Sequence, residues 1–277
     1  MSSDTLVRSH RPADAPLVDA HFHIYTADLP LAPDAWHRPP EDAGTERLIK
    51  LLDDHGISLG VVAAASLHGE YNDYVRDALR RYRRLRATAI VSPSIGIYEL
   101  ERMRDDGFVG IRLMWRTLAE APDITSPDYR RLLRRVADLG WHVHLIERAD
   151  RLPKMMQEIE AAGARVVIDH MGMPEAGKGV DDPGFRLVLN AIDRGNTWVK
   201  LSAGYRFKPL STAVDCAREL VKRTGGERLV WASDWPFAAY ENNVTYGETV
   251  AALSEWVPDP VMRQRIGGRN ALELYFM

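Results

Sequence analysis

Cysteine is nearly absent from this sequence. The single residue Cys216 excludes an internal disulfide. Long apolar runs are missing as well, so no segment is predicted to span a bilayer, and the first sixteen residues lack the apolar stretch of a signal peptide. We therefore expect a cytoplasmic protein with no membrane partner. An excess of one charge is also lacking: the net charge of −3 gives no support for binding nucleic acid.

A glycine-rich dinucleotide fingerprint is absent after the first apolar segment, which disfavours an open doubly wound sheet. Short apolar runs instead alternate with helix-like segments, and parallel strands need such crossovers. Eight such units in 277 residues predict a single-domain (β/α)8 TIM barrel over 17–277, preceded by an N-terminal arm over 1–16. The predicted strands are 17–25, 59–66, 87–92, 108–114, 141–146, 165–170, 197–202 and 229–234. Helical spacing predicts helices over 45–55 and from 127 to about 139.

The most informative segment is Asp-Ala-His-Phe-His at 19–23. Strand alternation predicts that Asp19, His21 and His23 share one face. Two imidazoles and a carboxylate at the end of an early strand favour a metal site or an acid/base site. For this segment alone, histidines satisfied by their neighbours in a core remain the alternative.

Other polar residues fall at or near the predicted strand ends, where barrel enzymes place their chemistry. Alternation groups Asp234 with Val230 and Ala232 on one face, and His170 with Val166 and Ile168. The polar set comprises His21, His23, His68, His142, His144, His170, Ser66, Arg112, Lys200, Ser202 and Asp234.

Four segments together resemble the amidohydrolase superfamily, and more narrowly its amidohydrolase-2 branch, which contains lactonases such as the pyrone-dicarboxylate hydrolases. They are the segment at 19–23, Ile-Asp-His-Met-Gly at 168–172, Trp-Ala-Ser-Asp-Trp-Pro at 231–236 and Asn-Ala-Leu-Glu-Leu-Tyr at 270–275. The segments at 65–69 and 198–202 also resemble the lactonase group. The resemblance spans nearly the whole chain, with the segments in family order.

The resemblance implies a role for each matching residue. His21 and His23 match a pair that ligates a metal in many members and polarises the substrate carbonyl in metal-free ones. His170 matches the strand-six histidine, and Asp234 matches the general base that activates water. The implied metal ligands are His21, His23 and Asp234, in a site that is empty in some members. The implied or expected substrate contacts are Arg112, Ser66, His68, His144 and Arg206. For Arg112, a structural arginine paired with a carboxylate remains the alternative.

Departures from the family pattern narrow these expectations. Many metal-binding members carry a further histidine at the end of the fifth strand. Here Ile146 stands at the predicted strand end and His144 lies two residues deeper, a difference of about 6.6 Å that is large against metal–nitrogen distances of about 2.1 Å. Met114 stands where a metal-bridging carboxylated lysine would be, so a complete binuclear site is not expected. Met173 and Phe237 replace an arginine and a histidine of the pyrone-dicarboxylate enzymes, which indicates a less charged substrate.

The sequence therefore predicts a hydrolase that opens the lactone of a small carboxylic or sugar acid. Asp234 would activate water, while His21, His23 and His170 would polarise the carbonyl. Either no cofactor or one divalent metal, zinc or manganese, is expected. The expected partner is a small carboxylate-bearing lactone, and a homo-oligomer is left open. The alternative is a metal-dependent decarboxylase of an aromatic or unsaturated carboxylic acid.

Overall fold

The computed structural model describes residues 16–277. Most of the predicted N-terminal arm, residues 1–15, lies outside the described residues. Within the described part, eight strands form one parallel sheet in which each strand pairs with the next along the chain. The strands are β1 (Val18–Phe22), β2 (Leu59–Val62), β3 (Leu85–Ala89), β4 (Phe108–Met114), β5 (His142–Ile146), β6 (Arg165–Ile168), β7 (Thr197–Leu201) and β8 (Leu229–Trp231).

The first and last strands meet and close the sheet into a barrel. The backbone N–H of Asp234 donates to the carbonyl of His21 at 2.9 Å, and that of His23 donates to Trp235 at 2.8 Å. The predicted (β/α)8 barrel is confirmed. The prediction of the third strand, 87–92, began two residues late: Leu85 is buried and already pairs with Gly60, although charged arginines flank it in the sequence.

Helices follow the strands and cover the outside of the barrel. They are α1 (Thr45–Asp54), α2 (Asp73–Arg81), α3 (Ile97–Asp106), α4 (Pro127–Asp138), α5 (Leu152–Ala161), α6 (Pro183–Asp193), α7 (Ser211–Thr224), α8 (Tyr246–Trp256), α9 (Pro260–Gln264) and α10 (Asn270–Tyr275). The predicted start of α4 is confirmed, because the Ser126 side chain accepts from the backbone N–H of Tyr129 and Pro127 opens the helix. Among the described residues, no helix is long and apolar enough to cross a membrane.

Two apolar clusters divide the strand side chains between the barrel interior and the layer beneath the helices. The interior cluster joins alternate strand residues to α10, whose Leu274 and Tyr275 close the N-terminal end of the barrel. The outer cluster joins the intervening strand residues to the surrounding helices. The interior cluster contains Val18, Ala20, Val61, Val167, Trp198, Val230, Ala232, Ala271, Leu274 and Tyr275.

An irregularity in β1 separates Asp19 from the two histidines. The β1–β2 register shifts between Asp19 and Phe22. As a result Asp19 points toward α8, where its carboxylate accepts from Tyr246 at 2.8 Å and from the Ser233 backbone at 2.9 Å. The prediction that Asp19 shares the face of His21 and His23 was wrong, because regular alternation does not continue through a bulge.

Candidate active site

A cavity of about 330 Å³ opens at the C-terminal end of the barrel. Six of the nine predicted site residues line it: His23, Ser66, Arg112, His170, Arg206 and Asp234. The rest of the wall is mainly apolar and includes Tyr25, Trp36, Met114, Ile146 and Met173, with Arg116 as a further cation.

Single helical turns that follow three of the strands carry cavity residues. They span Ser66–His68 after β2, Asp169–Gly172 after β6 and Gly204–Arg206 after β7. Each turn bends the chain across the barrel mouth, so Ser66, His170 and Arg206 reach the cavity from positions beyond the strands.

Left-handed backbone conformations aim two of the site residues. His170 has φ 52° and Asp234 has φ 66°. This conformation is uncommon for residues other than glycine, and it concentrates at functional sites. The prediction that His170 shares a face with Val166 and Ile168 was wrong, since those two residues pack in the outer cluster while His170 lines the cavity.

The carboxylate of Asp234 is held on one side and faces imidazoles on the other. Tyr205 donates its hydroxyl to Oδ2 at 2.6 Å, and Arg206 donates Nε to the same oxygen at 3.0 Å. Oδ1 lies 3.6 Å from Nε2 of His21, 3.7 Å from Nε2 of His23 and 3.6 Å from Nε2 of His170. Burial favours a higher pKa, but the charge of Arg206 opposes it, so the pKa of Asp234 lies below its usual value.

The three imidazoles are kept neutral near pH 7. Burial and the nearby charge of Arg112 lower the pKa of His23 to about 3. Burial is also the main cause of the lowered pKa of His21 and of His170. The Nδ1 atom of His23 lies 2.8 Å from the carbonyl of Ala63.

A second charged layer lies below the cavity and centres on Asp169, which is fully buried. Its Oδ2 accepts from Nε of Arg112 at 3.1 Å, while its Oδ1 pairs with Lys200 at 3.0 Å. Burial raises the pKa of Asp169, but the charges of Lys200 and Arg112 together outweigh burial and bring the pKa well below its usual value. Burial lowers the pKa of Lys200 to about 8. Arg112 therefore pairs with a buried carboxylate, as the structural alternative expected, and it also lines the cavity, where its contact with a substrate stays a prediction.

Asp169 and Tyr205 were missed by the sequence reasoning. Asp169 could have been found by extending the alternation of β6 from the inward Val167. Tyr205 gave no such signal, because it lies in a turn whose path depends on the packing of β7 and β8.

Three predicted residues do not form part of the cavity wall. His21 is fully buried, with its Nε2 3.3 Å from Nε2 of His23. His144 lies deeper, in contact with Lys200 and Tyr275, so the expected substrate contact does not fit its position. His68 packs behind Tyr25, with Nδ1 2.9 Å from the carbonyl of Pro30.

The donor atoms of His21, His23 and Asp234 fit a single divalent ion. Tetrahedral ligands about 2.1 Å from a metal lie about 3.4 Å from one another. The three separations here are 3.3, 3.6 and 3.7 Å. An ion held by these residues would supply Lewis-acid polarisation of a carbonyl oxygen. The site thus allows one divalent metal, such as zinc or manganese, or none.

Comparisons with known proteins agree with this arrangement. The amidohydrolase family model matches residues 18–277. The chain is 31% identical to 2-pyrone-4,6-dicarboxylate hydrolase of Comamonas testosteroni, covering 96% of this chain and 91% of that protein. It is 26% identical to 4-sulfomuconolactone hydrolase of Hydrogenophaga intermedia, covering 93% and 88%. A probable 2-pyrone-4,6-dicarboxylic acid hydrolase from Acinetobacter baumannii, solved with citric acid bound, superposes with a TM-score of 0.88 at 27% identity, covering 95% of this chain and 100% of that one. The chain therefore belongs to the amidohydrolase family and is an enzyme of its amidohydrolase-2 branch.

Proposed function

We propose that this enzyme hydrolyses the lactone of a small carboxylic acid. The observation that carries the proposal is the position of Asp234, an ionised carboxylate at the cavity wall with one oxygen held by Tyr205 and Arg206 and the other facing neutral imidazoles. Relatives named for the hydrolysis of pyrone dicarboxylate and sulfomuconolactone support the same reaction class.

In the proposed reaction, Asp234 takes a proton from a water molecule as the water oxygen attacks the lactone carbonyl. The ring C–O bond then breaks, and the proton passes to the leaving alkoxide to give a hydroxy acid. A carboxylate with a lowered pKa is a weaker base, so we expect proton removal to accompany attack rather than precede it.

Negative charge that develops on the carbonyl oxygen needs hydrogen-bond donors in a dry site. We assign this role to the donor rings within the imidazole cluster of His21, His23 and His170. Since burial keeps these rings neutral, each can direct only one N–H, and the position of that proton decides which rings are donors.

The arginines of the cavity suit a carboxylate on the substrate. Arg206 gives its Nε to Asp234, which leaves its terminal amino groups for a second carboxylate, and a guanidinium can bind such a group in bidentate fashion. Arg112 and Ser66 line the same cavity and are proposed as further contacts. Met173 is part of the cavity wall and is apolar, so it offers no positive charge to a second substrate carboxylate. We therefore propose a lactone with one carboxylate in preference to a dicarboxylate.

The test is an assay of a panel of muconolactones, sugar-acid lactones and 2-pyrone-4,6-dicarboxylate, in which ring opening is monitored by the release of a proton. We expect turnover of at least one monocarboxylate lactone, faster than that of the pyrone dicarboxylate, and loss of that turnover in Asp234→Asn. Absence of lactone hydrolysis across the panel, or an Asp234→Asn variant as active as the native enzyme, would refute the proposal.

The second candidate is a metal-dependent decarboxylase of an aromatic or unsaturated acid. The spacing of His21, His23 and Asp234, which fits one divalent ion, favours it. Release of CO2 from such acids by the zinc- or manganese-loaded protein, abolished by chelation and without lactone turnover, would establish this candidate.

A further inference from the structure

Lys200 lies beneath the imidazole cluster, and its side chain is fully buried. Its Nζ is 2.9 Å from Nδ1 of His21 and 2.9 Å from Nδ1 of His144. Asp169 lies 3.0 Å away and supplies the opposite charge. An ammonium group only donates hydrogen bonds, so ring nitrogens that contact it in this way must be acceptors.

From this geometry we propose that Lys200 is a positioning residue that holds the proton of His21 on Nε2. A neutral imidazole carries one N–H, so a ring that accepts at Nδ1 is protonated at Nε2. His21 then presents an N–H toward His23 and Asp234 and is a hydrogen-bond donor in the resting site.

His23 carries its proton on the other nitrogen. Its Nδ1 is 2.8 Å from the carbonyl oxygen of Ala63, which can only accept, so Nδ1 carries the proton and Nε2 has the lone pair. The two Nε2 atoms, 3.3 Å apart, are therefore a donor and an acceptor rather than two equivalent ligands.

The structure also contains the partner for the opposite tautomer of His21. Oδ1 of Asp169 is 3.3 Å from Nδ1 of His21. Metal-ligating histidines usually donate their second N–H to such a carboxylate, which leaves the other nitrogen free for the metal. Lys200 occupies the Nδ1 side at 2.9 Å and so opposes this arrangement. Lys200 thus decides whether His21 is a donor or a metal ligand.

The meaning of this device for catalysis rests on the proposed lactone hydrolysis, in which a donor would polarise the carbonyl without a metal. The tautomer and the metal affinity do not depend on the substrate. Their measurement on the resting protein therefore separates a failure of this inference from a failure of the proposed function.

The first experiment is 15N NMR of metal-free native protein labelled at histidine, with His21 assigned by the signal missing from His21→Gln. We expect His21 to be protonated at Nε2 and His23 at Nδ1. A His21 ring protonated at Nδ1 would overturn the inference, and this reading needs no variant at Lys200.

The second experiment replaces Lys200 with methionine, which keeps an unbranched side chain but removes the donor. We expect His21 to shift its proton to Nδ1, toward Asp169, and zinc affinity to rise about 10- to 100-fold, the usual effect of a changed partner behind a ligating histidine. Lys222→Met is the matched control, because this lysine is 81% exposed on α7. A folded Lys200→Met protein with unchanged tautomer and unchanged zinc affinity would contradict the inference.

Discussion

The two ends of the barrel interior are built from the same strands but from opposite chemistry. At the N-terminal or lower end, Val18, Val167 and Trp198 pack against Leu274 and Tyr275 of α10 in an apolar plug. At the C-terminal or upper end, the interior holds a cluster of imidazoles, carboxylates and cations around a cavity. The change occurs within single strands, as β7 shows when Trp198 is followed on the same face by Lys200.

The apolar lower end contributes to the stability of the fold, whereas the charged upper end holds the groups that carry out chemistry. Burial of apolar side chains stabilises the lower end, by about 1.5–3 kcal/mol for a fully buried large side chain. Buried charges at the upper end are costly to desolvate, and their attraction to one another offsets that cost only when each has a partner. Asp169 illustrates the requirement, since Lys200 and Arg112 flank it on two sides.

Asp234→Asn is expected to give the largest effect, because it removes the base from the upper end. Turnover of the lactone should fall about 10²- to 10⁴-fold, the usual contribution of a general base, with a much smaller change in KM. Steady-state kinetics measure kcat and KM, and far-ultraviolet circular dichroism measures whether the variant is folded. Asp193→Asn is the matched control, since this carboxylate is 47% exposed and pairs with Arg223 on the surface. An equal loss of turnover in Asp234→Asn and Asp193→Asn would show that Asp234 is not the general base.

Trp198→Ala tests the lower end. It should lower the free energy of unfolding by about 3–5 kcal/mol, as expected for the loss of a large buried aromatic side chain. The KM of the remaining folded enzyme should stay near the native value, because Trp198 belongs to the interior plug and not to the cavity wall. Urea denaturation is the measurement, and Tyr98→Ala, at a position 80% exposed, is the control. A native-like unfolding midpoint for Trp198→Ala would show that the plug does not carry stability.

Tyr205→Phe removes one donor from Asp234 and keeps the ring. A hydrogen bond to a charged group is worth about 1.5–3 kcal/mol, so kcat should fall roughly 10- to 100-fold while KM changes less. If KM alone rose, Tyr205 would be a substrate contact rather than a support for Asp234.

Met173→Arg sharpens the comparison within the cavity. A guanidinium at this wall should improve turnover of a dicarboxylate relative to a monocarboxylate lactone by about tenfold, equivalent to about 1.4 kcal/mol. The ratio of kcat/KM for the two substrates is the measurement. An unchanged ratio would show that Met173 does not set substrate charge. Met173→Leu is the neutral control.

Much of the site follows from the sequence because TIM barrels collect strand ends at one edge. That rule is enough to bring His23, His170 and Asp234 to a common cavity. It fails where the backbone departs from regular alternation, as at Asp19, where a bulge turns the side chain toward α8. The rule also fails for His144. This residue lies below the cavity, as its predicted offset from the strand end indicated, so the expected substrate contact does not fit its position.

The sequence by itself determined the eight alternating units, the closed barrel and the residue types that gather at its mouth, since these depend on local periodicity and on the geometry of parallel strands. Tertiary structure alone decided which atoms of those residues meet. The left-handed turn at His170 is needed to place its ring at the cavity, and the contact between Tyr205 and Asp234 and the approach of Lys200 to His21 join segments far apart in the chain. Such contacts depend on distances of a few tenths of an ångström, which periodicity does not encode and packing does.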